Sequence, residues 1–201
     1  MKKRVWTGPL WITIVSVLVI AFLILVAAKA FTVNSSFRID SLVGIGFILF
    51  IYFRYRNLGI RGWILPLIFL VVLLNIFGFF GAYNLMLFGL GYDKYLHLFA
   101  GFVITIALFQ IFESKENYVV LQSPLLRAFV MMLGIMALGE ILEFVGSVYL
   151  GVSEGFLATA GSAASNSASD MVRYDTMWDL IFDVFGGILA AITAILIGKR
   201  V

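Results

Sequence analysis

The sequence predicts an all-α protein, built as a bundle of about six membrane-spanning helices. Hydrophobic residues make up 63% of the chain and charged residues only 12%, and the mean hydropathy is +1.09. Soluble domains are instead about 45–50% apolar and about 25% charged. Apolar runs long enough to cross a bilayer recur along the chain, with short polar connections between them. Residues 1–201 are therefore predicted to form a single transmembrane domain.

Cysteine usage and net charge narrow the possible sites and partners. The chain has no cysteine, which excludes disulfides and thiolate metal sites. Nucleic-acid-binding proteins concentrate lysine and arginine on one face. A net charge of only +3 does not by itself indicate such a face or a nucleic-acid partner. The expected partners are membrane lipids and a lipid or lipid-linked substrate, with no nucleic acid.

The first apolar run, residues 10–28, follows a basic N-terminus and has two interpretations. A signal peptide would combine the same features, with the small-residue motif at 28–30 as its cleavage site. The run is about 19 residues long, which exceeds the roughly 7–15 of a signal-peptide core and matches the roughly 20 that span a bilayer. We therefore expect a retained first helix.

The other predicted spans are apolar runs bounded by charged or turn-forming residues. The second is the least regular, because its uncharged core, residues 41–53, is short. Pro66 lies near the start of the third span, where proline costs little. A charged turn at 113–117 separates the fourth span from the fifth. The predicted spans are residues 10–30, 39–55, 63–83, 95–112, 125–150 and 176–197.

The segment between the last two spans, residues 151–175, is predicted to be an outer loop. It contains a tract of alanine, serine, glycine, threonine and asparagine at 158–169. Such a tract is typical of a flexible linker. The alternative is a lid over the outer mouth of the bundle.

The distribution of lysine and arginine predicts the orientation, since these residues concentrate in cytoplasmic loops. With the N-terminus inside, ten basic residues flank the inner side and four the outer side. Six spans also return the C-terminus to the inner side, so the sequence predicts a multi-pass protein of the cell membrane with both termini cytoplasmic. The inner set is Lys2, Lys3, Arg4, Arg54, Arg56, Arg61, Lys115, Arg127, Lys199 and Arg200, and the outer set is Lys29, Arg38, Lys94 and Arg173.

Three acids near the start of the last span are the strongest functional signal. Asp175, Asp179 and Asp183 are each four residues apart, which places them on one face of a helix. The last of them lies about two turns inside the predicted span. Ionisable residues inside a membrane are costly, and they indicate a functional site by default.

Two further pairs are predicted to lie at the same depth. Asp93 and His97, the only histidine, are four residues apart at the start of the fourth span, and Glu140 and Glu143 lie roughly 10–15 Å below the outer end of the fifth. All seven polar groups are thus expected in the outer half of the membrane. If they share a cavity, they cannot all stay ionised without cations or protons.

A divalent metal ion, of a kind that the sequence does not specify, is one way to compensate these charges, and sharing of protons among the carboxyl groups is the other. The predicted catalytic residues are Glu140, Glu143 and His97. Structural alternatives remain open: Asp93 and Asp175 suit helix N-termini, His97 alone would suit a hydrogen-bonded structural role, and Lys94 or Arg173 would neutralise part of the cluster. The candidate metal ligands are Asp93, His97, Glu140, Glu143, Asp175, Asp179 and Asp183.

These motifs resemble those of the YjdF-like family of inner-membrane proteins. The resemblance depends on Asp93 with His97, on Glu140 with Glu143, and on the run from Tyr174 to Asp179, and it covers residues 92–190. The same region is distantly similar to VanZ-like proteins, although Asp183 stands where their pattern has asparagine. Both resemblances imply a polytopic membrane protein, and neither implies an established reaction.

Three functions fit this sequence. The first is a metal-assisted enzyme that acts on a lipid or lipid-linked substrate at the outer leaflet. The second is a proton- or cation-coupled transporter, which would also need polar groups in the inner half, where only Asn75, Gln110 and Gln122 stand out. The third is a non-catalytic assembly factor, in which the acids hold helices together.

Overall fold

The computed structural model describes residues 10–33, 37–115, 123–149 and 168–198. Six α-helices account for most of them, which confirms the predicted all-α class. The helices are α1 (Leu10–Val33), α2 (Phe37–Leu58), α3 (Leu65–Phe79), α4 (Tyr92–Glu113), α5 (Pro124–Tyr149) and α6 (Ala168–Gly198). Short 3-10 turns flank α3 at Gly62–Ile64 and Ala82–Asn84. A two-stranded hairpin, β1 (Met86–Leu87) and β2 (Leu90–Gly91), joins this region to α4.

The helix boundaries differ from the predicted spans mainly at two places. The predicted third span, 63–83, is divided into a 3-10 turn, α3 and a second 3-10 turn, because Gly81 has a φ of +100° and ends the helical path. The last helix begins at Ala168 rather than at residue 176, so the C-terminal end of the predicted outer loop is helical. Most of the small-residue tract at 158–169 lies outside the described residues.

Within the described parts of the chain, four helical segments are long and apolar enough to cross a membrane: Leu10–Ala28, Tyr92–Glu113, Pro124–Gly146 and Tyr174–Leu196. The apolar helix Gly62–Gly78 is shorter, and α2 carries charges near both of its ends. The protein is thus a helical membrane protein, while the predicted count of six spans and the orientation of the termini stay predictions.

The core lies where α1, α2 and α3 pack together and against α4. Buried side chains such as Leu23, Ile48, Phe69 and Val103 meet there, as expected for helices that are apolar around most of their circumference. A smaller cluster between α4 and α5 contains Leu108, Ala128 and Met132. The most extensive helix pair is α4 with α6, and α5 contacts both of them.

The three C-terminal helices have a simple relative arrangement. Residues along α4 and α6 approach each other in the same order, since Lys94 meets Asp175 and Asp179 while His97 meets Asp183. These two helices are therefore parallel. Helix α5 runs the opposite way, because its late residue Glu140 reaches His97. The first turns of α4, the first half of α6 and the C-terminal half of α5 meet at one end of the bundle, which we call the acidic end.

Candidate functional site

Helix α6 presents its three acids to α4. Their four-residue spacing places them on one face, and Asp179 and Asp183 are buried while Asp175 is largely buried. Because α6 starts at Ala168, Asp175 lies about two turns inside the helix. The interpretation of Asp175 as an N-terminal cap is therefore wrong. Asp93, in contrast, does lie in the first turn of α4, where its charge suits the helix dipole.

Lys94 holds three of the acids together. Its Nζ donates to Asp93 Oδ2 at 2.7 Å, to Asp179 Oδ1 at 2.8 Å and to Asp175 Oδ1. The Lys94 side chain is only 10% exposed, and an ammonium group has three protons to donate. All three protons have a carboxylate acceptor. Lys94 thus takes the neutralising role that the sequence left open, whereas the side chain of Arg173 lies outside the described residues.

His97 lies at the centre of a second, more buried group. Its Nδ1 is 3.2 Å from Asp183 Oδ1, and its Nε2 is 3.5 Å from Glu140 Oε1 and 3.7 Å from Asp179 Oδ1. The imidazole therefore bridges α5 and α6 from its position on α4. His97, Glu140 and Asp183 each offer one ligand atom, and these atoms all lie within 4.8 Å of one another. We call these three residues the histidine triad.

Two oxygen atoms in the histidine triad have no hydrogen-bond partner among the described residues. Glu140 is 2% exposed and its Oε2 is unpaired, and Asp183 is fully buried and its Oδ2 is unpaired. A buried carboxylate oxygen without a donor is costly, and most buried polar atoms do have a partner. Asp175 Oδ2, in the group around Lys94, is unpaired as well, so both groups have unfilled binding capacity, and in the histidine triad no ammonium group of the described residues lies among the ligand atoms.

Glycines allow α4 and α6 to approach closely enough for these contacts. A Cβ built on Gly186 would lie 2.1 Å from the carbonyl oxygen of Leu98, and one on Gly101 would lie 2.7 Å from that of Asp183. Any larger residue at either position would collide with backbone of the opposite helix. Small residues often permit such close helix pairs in membranes. This close contact lies directly beside the pair formed by His97 and Asp183.

The glycines of α5 and α6 differ in what they pack against. Gly187 does pack against Phe129 and Met132 of α5. Gly186 instead packs against α4, and a Cβ on Gly134 or Gly139 would have no neighbour within 4 Å in the part of the chain that the structure describes. The sequence reasoning also missed Gly101, although its position four residues after His97 on one helix face was a usable signal.

The charge balance of the acidic end requires compensation. The seven candidate positions comprise six acids and His97. Among the described residues, these six carboxyl groups face one lysine and one imidazole. Even a charged imidazole would leave four more acidic than basic groups. Such a cluster inside a bundle must take up protons or cations. A metal ion in the histidine triad would meet one imidazole and two carboxylates, a donor set that suits Zn, Mn or Fe.

The predicted site residues are thus divided between two neighbouring groups. Asp93, Asp175 and Asp179 surround Lys94, so an ammonium group already occupies the position where their oxygens converge. His97, Glu140 and Asp183 form the histidine triad. Glu143, three residues beyond Glu140, is half-buried and joins neither convergent group. It is still near enough to Glu140 and His97 to interact with them electrostatically.

The predicted polar residues elsewhere have local partners. Asn75 accepts a hydrogen bond from the Tyr83 hydroxyl at 3.0 Å, and Gln110 accepts one from the backbone N–H of Arg61 at 2.7 Å. Arg61 also forms an exposed ion pair with Glu113 at 3.2 Å. These contacts tie helix ends together, and Gln122 lies outside the described residues.

Comparison with known proteins gives one family. Residues 10–200 match the family described as "Predicted membrane protein (DUF2238)". The YjdF-like resemblance is compatible with this match, whereas the VanZ-like similarity stays a prediction. No curated protein matches the chain, and no solved structure does.

Proposed function

We propose that this chain, which belongs to the DUF2238 family of predicted membrane proteins, acts within the membrane as a metal-assisted enzyme on a lipid or lipid-linked substrate. The histidine triad is the proposed metal site. The observation that carries this proposal is the convergence of His97, Glu140 and Asp183 from three different helices, with two buried carboxylate oxygens left unpaired.

The two groups at the acidic end would have separate tasks. The three acids around Lys94 share its ammonium group as a common hydrogen-bond donor, so their proposed role is to hold α4 against α6. The histidine triad has no lysine or arginine bound to it among the ion pairs of the described residues, and it would therefore take the metal. Asp179 touches both groups and links them.

A metal ion bound there would supply an activated water or polarise a phosphoryl or carbonyl oxygen. Glu143 is the proposed general base, because it is half-buried beside the triad and is not needed as a ligand. Glu140 and His97 would bind the ion as ligands and fix its position between the helices. A lipid substrate fits this location, since a site buried among membrane helices is reached most directly from the bilayer.

The proposed topology keeps six spans with both termini in the cytoplasm. In that arrangement α2 and the shorter α3 also cross the membrane, in addition to the four longer spans. The acidic end would then lie in the outer half of the membrane. The excess of lysine and arginine on the other side supports this orientation.

Metal content is the first test. Detergent-purified wild-type protein is reconstituted with single divalent ions, desalted and measured by mass spectrometry, beside Glu140→Gln and Asp183→Asn. We expect close to one ion per chain in the wild type and a loss in both variants. The matched control is Glu113→Gln, the same chemical change in an exposed acid of the Arg61 ion pair. No bound ion in the wild type would refute the metal site.

The enzymatic part needs its own test. Lipid extracts from membranes that contain wild-type protein or Glu143→Gln are compared by liquid chromatography and mass spectrometry. We expect a lipid species that changes with the wild type and not with the variant, while Glu143→Gln retains its metal. Identical lipid profiles with a metal-loaded wild type would contradict the enzyme and leave the site as a metal-binding one.

A structural role for the whole cluster is the second candidate, and the fully bonded Lys94 favours it. It predicts that amide variants of the acids keep function wherever they keep the fold. The transporter alternative has less support, because Asn75 and Gln110 are engaged in local hydrogen bonds rather than aligned with the site.

A further inference from the structure

The hairpin between α3 and α4 exposes an apolar tip at the acidic end. Its side chains have exposed fractions of 54% at Leu85, 66% at Met86, 50% at Leu87 and 99% at Phe88. The hairpin ends at Gly91, and the next residue begins α4. Exposed apolar groups in such a contiguous patch mark an interaction surface.

This hairpin is a fixed element of the structure. Strands β1 and β2 pair antiparallel, with Leu87 opposite Leu90. The backbone N–H of Tyr92 donates to the carbonyl of Leu85 at 3.0 Å, and the Tyr95 hydroxyl donates to the carbonyl of Leu87 at 2.7 Å. The backbone of the hairpin is thus attached to the first turn of α4, while the side chains of Leu85–Phe88 stay exposed.

The exposure and the backbone conformation of Phe88, at the turn of the hairpin, are both energetically unfavourable in water. Phe88 has a φ of +50° and Gly89 one of +80°, as a tight two-residue turn of the primed type requires. Phenylalanine at positive φ is uncommon, because its Cβ is crowded there, and glycine or asparagine would fit more easily. The aromatic ring also gains nothing from water. Both costs are offset only if the ring is buried in an apolar partner.

We propose that the hairpin tip, Leu85–Phe88, inserts into the hydrocarbon boundary of the lipid leaflet at the acidic end. Residues 63–92 contain no charged side chain, so the hairpin offers no ionic match to a protein partner. The membrane-spanning segment of α4 begins at Tyr92, immediately after the hairpin, which places the hairpin at the membrane boundary. Tyr92 and Tyr95 are of the type that anchors such boundaries.

The length of α3 supports the same position. Its 15 residues span about 22 Å, whereas the hydrocarbon core is about 30 Å thick. If α3 crosses the membrane, the turn at Ala82–Asn84 and the start of the hairpin must lie within its boundary. Pairing of β1 with β2 satisfies backbone groups that would otherwise be costly there. The proposal does not depend on the metal site.

Site-directed spin labelling tests this insertion, and the chain suits it because it has no native cysteine. The full-length variant Phe88→Cys carries a nitroxide and is reconstituted into phosphatidylcholine vesicles. Collision rates are measured with oxygen, which enters lipid, and with a charged nickel chelate, which stays in water. We expect the label at position 88 to meet oxygen readily and the chelate at least about tenfold less often than a label at a water-exposed position.

Two control positions calibrate the measurement. Lys115→Cys labels an exposed residue beyond the other end of α4, and Ile135→Cys labels an exposed apolar position in the middle of the α5 span. Chelate access at position 88 equal to that at 115 would overturn the proposal. A label shielded from both reagents would also overturn it, since that result indicates a protein contact. Dilution with unlabelled protein then shows whether the contact is with a second copy.

Discussion

The substitution Gly186→Ala should separate α4 from α6 beside the histidine triad. The added Cβ would lie 2.1 Å from the carbonyl oxygen of Leu98 and 2.9 Å from the backbone N of Phe102, whereas ordinary contact begins at 3.4 Å. Both neighbours are backbone atoms, so no side-chain rotation can relieve the clash. The helices must therefore separate locally by about 1.3 Å, the difference between 2.1 and 3.4 Å.

A separation of this size is enough to disturb the site. Gly186 lies one turn after Asp183 on α6, and Leu98 follows His97 on α4. The Nδ1–Oδ1 distance of 3.2 Å would pass the limit of about 3.5 Å at which the hydrogen bond is lost. Binding constellations tolerate displacements of only about 0.5 Å. Overpacking of a close contact typically costs about 1–3 kcal/mol in stability.

The assay combines thermal unfolding in detergent with the metal content after reconstitution. We expect Gly186→Ala to lower both the unfolding midpoint and the amount of bound metal. Gly134→Ala is the matched control, because its added methyl group meets nothing within 4 Å and alanine favours a helix. If Gly186→Ala behaved like Gly134→Ala in both measurements, the close approach of α4 and α6 would be incorrect.

Three further predictions use the same purified protein. Lys94→Met leaves three carboxylates without their common donor, so we expect a loss of about 3–5 kcal/mol in the free energy of unfolding. Adding Asp175→Asn should restore part of this loss. An unchanged unfolding midpoint in Lys94→Met would show that this group does not hold α4 to α6. Tyr92→Phe removes the hydroxyl that donates to the Leu74 carbonyl at 2.8 Å and should cost about 0.5–1.5 kcal/mol in denaturant unfolding, so a stabilising effect would contradict that bond. A divalent ion at a hundred times its dissociation constant should stabilise the wild type by about 2.7 kcal/mol and leave Asp183→Asn unaffected; equal stabilisation of both would place the ion elsewhere.

The sequence predicted the helical class because hydrophobic runs of membrane-spanning length are a local property of the chain. It also predicted that polar residues in three separate helices lie near one another. The four-residue spacing of Asp175, Asp179 and Asp183 predicts that they share one helix face. Counting residues from the helix ends predicts the same depth for Asp93, His97 and Glu140. The structure brings these helices together at the acidic end and places every candidate position except Glu143 in one of the two groups, while their depth in the membrane and their roles stay predictions.

The boundaries were less predictable, for a physical reason. The early start of α6 and the division of the third span depend on turns and contacts whose energies differ little between alternatives. The stretch Ala168–Tyr174 has only seven residues, two of them charged, and is too short to show a periodic hydrophobic signal, so it was predicted to be loop. The hairpin at 85–91 was missed because an uncharged run of apolar residues gives the same pattern in a membrane helix as in short strands.

The sequence by itself determined which side chains are available to the site: six acids, one histidine and a lysine, on three apolar helices without cysteine. Only the tertiary structure decided how they are shared. Lys94 and His97 are three residues apart on one helix and both reach Asp179. Their other partners differ, Asp93 and Asp175 for Lys94 and Glu140 and Asp183 for His97. Gly101 and Gly186 permit these contacts because they let the backbones of α4 and α6 approach closely. Pairing between helices depends on their separation and relative rotation, and no spacing within a single helix specifies either of these.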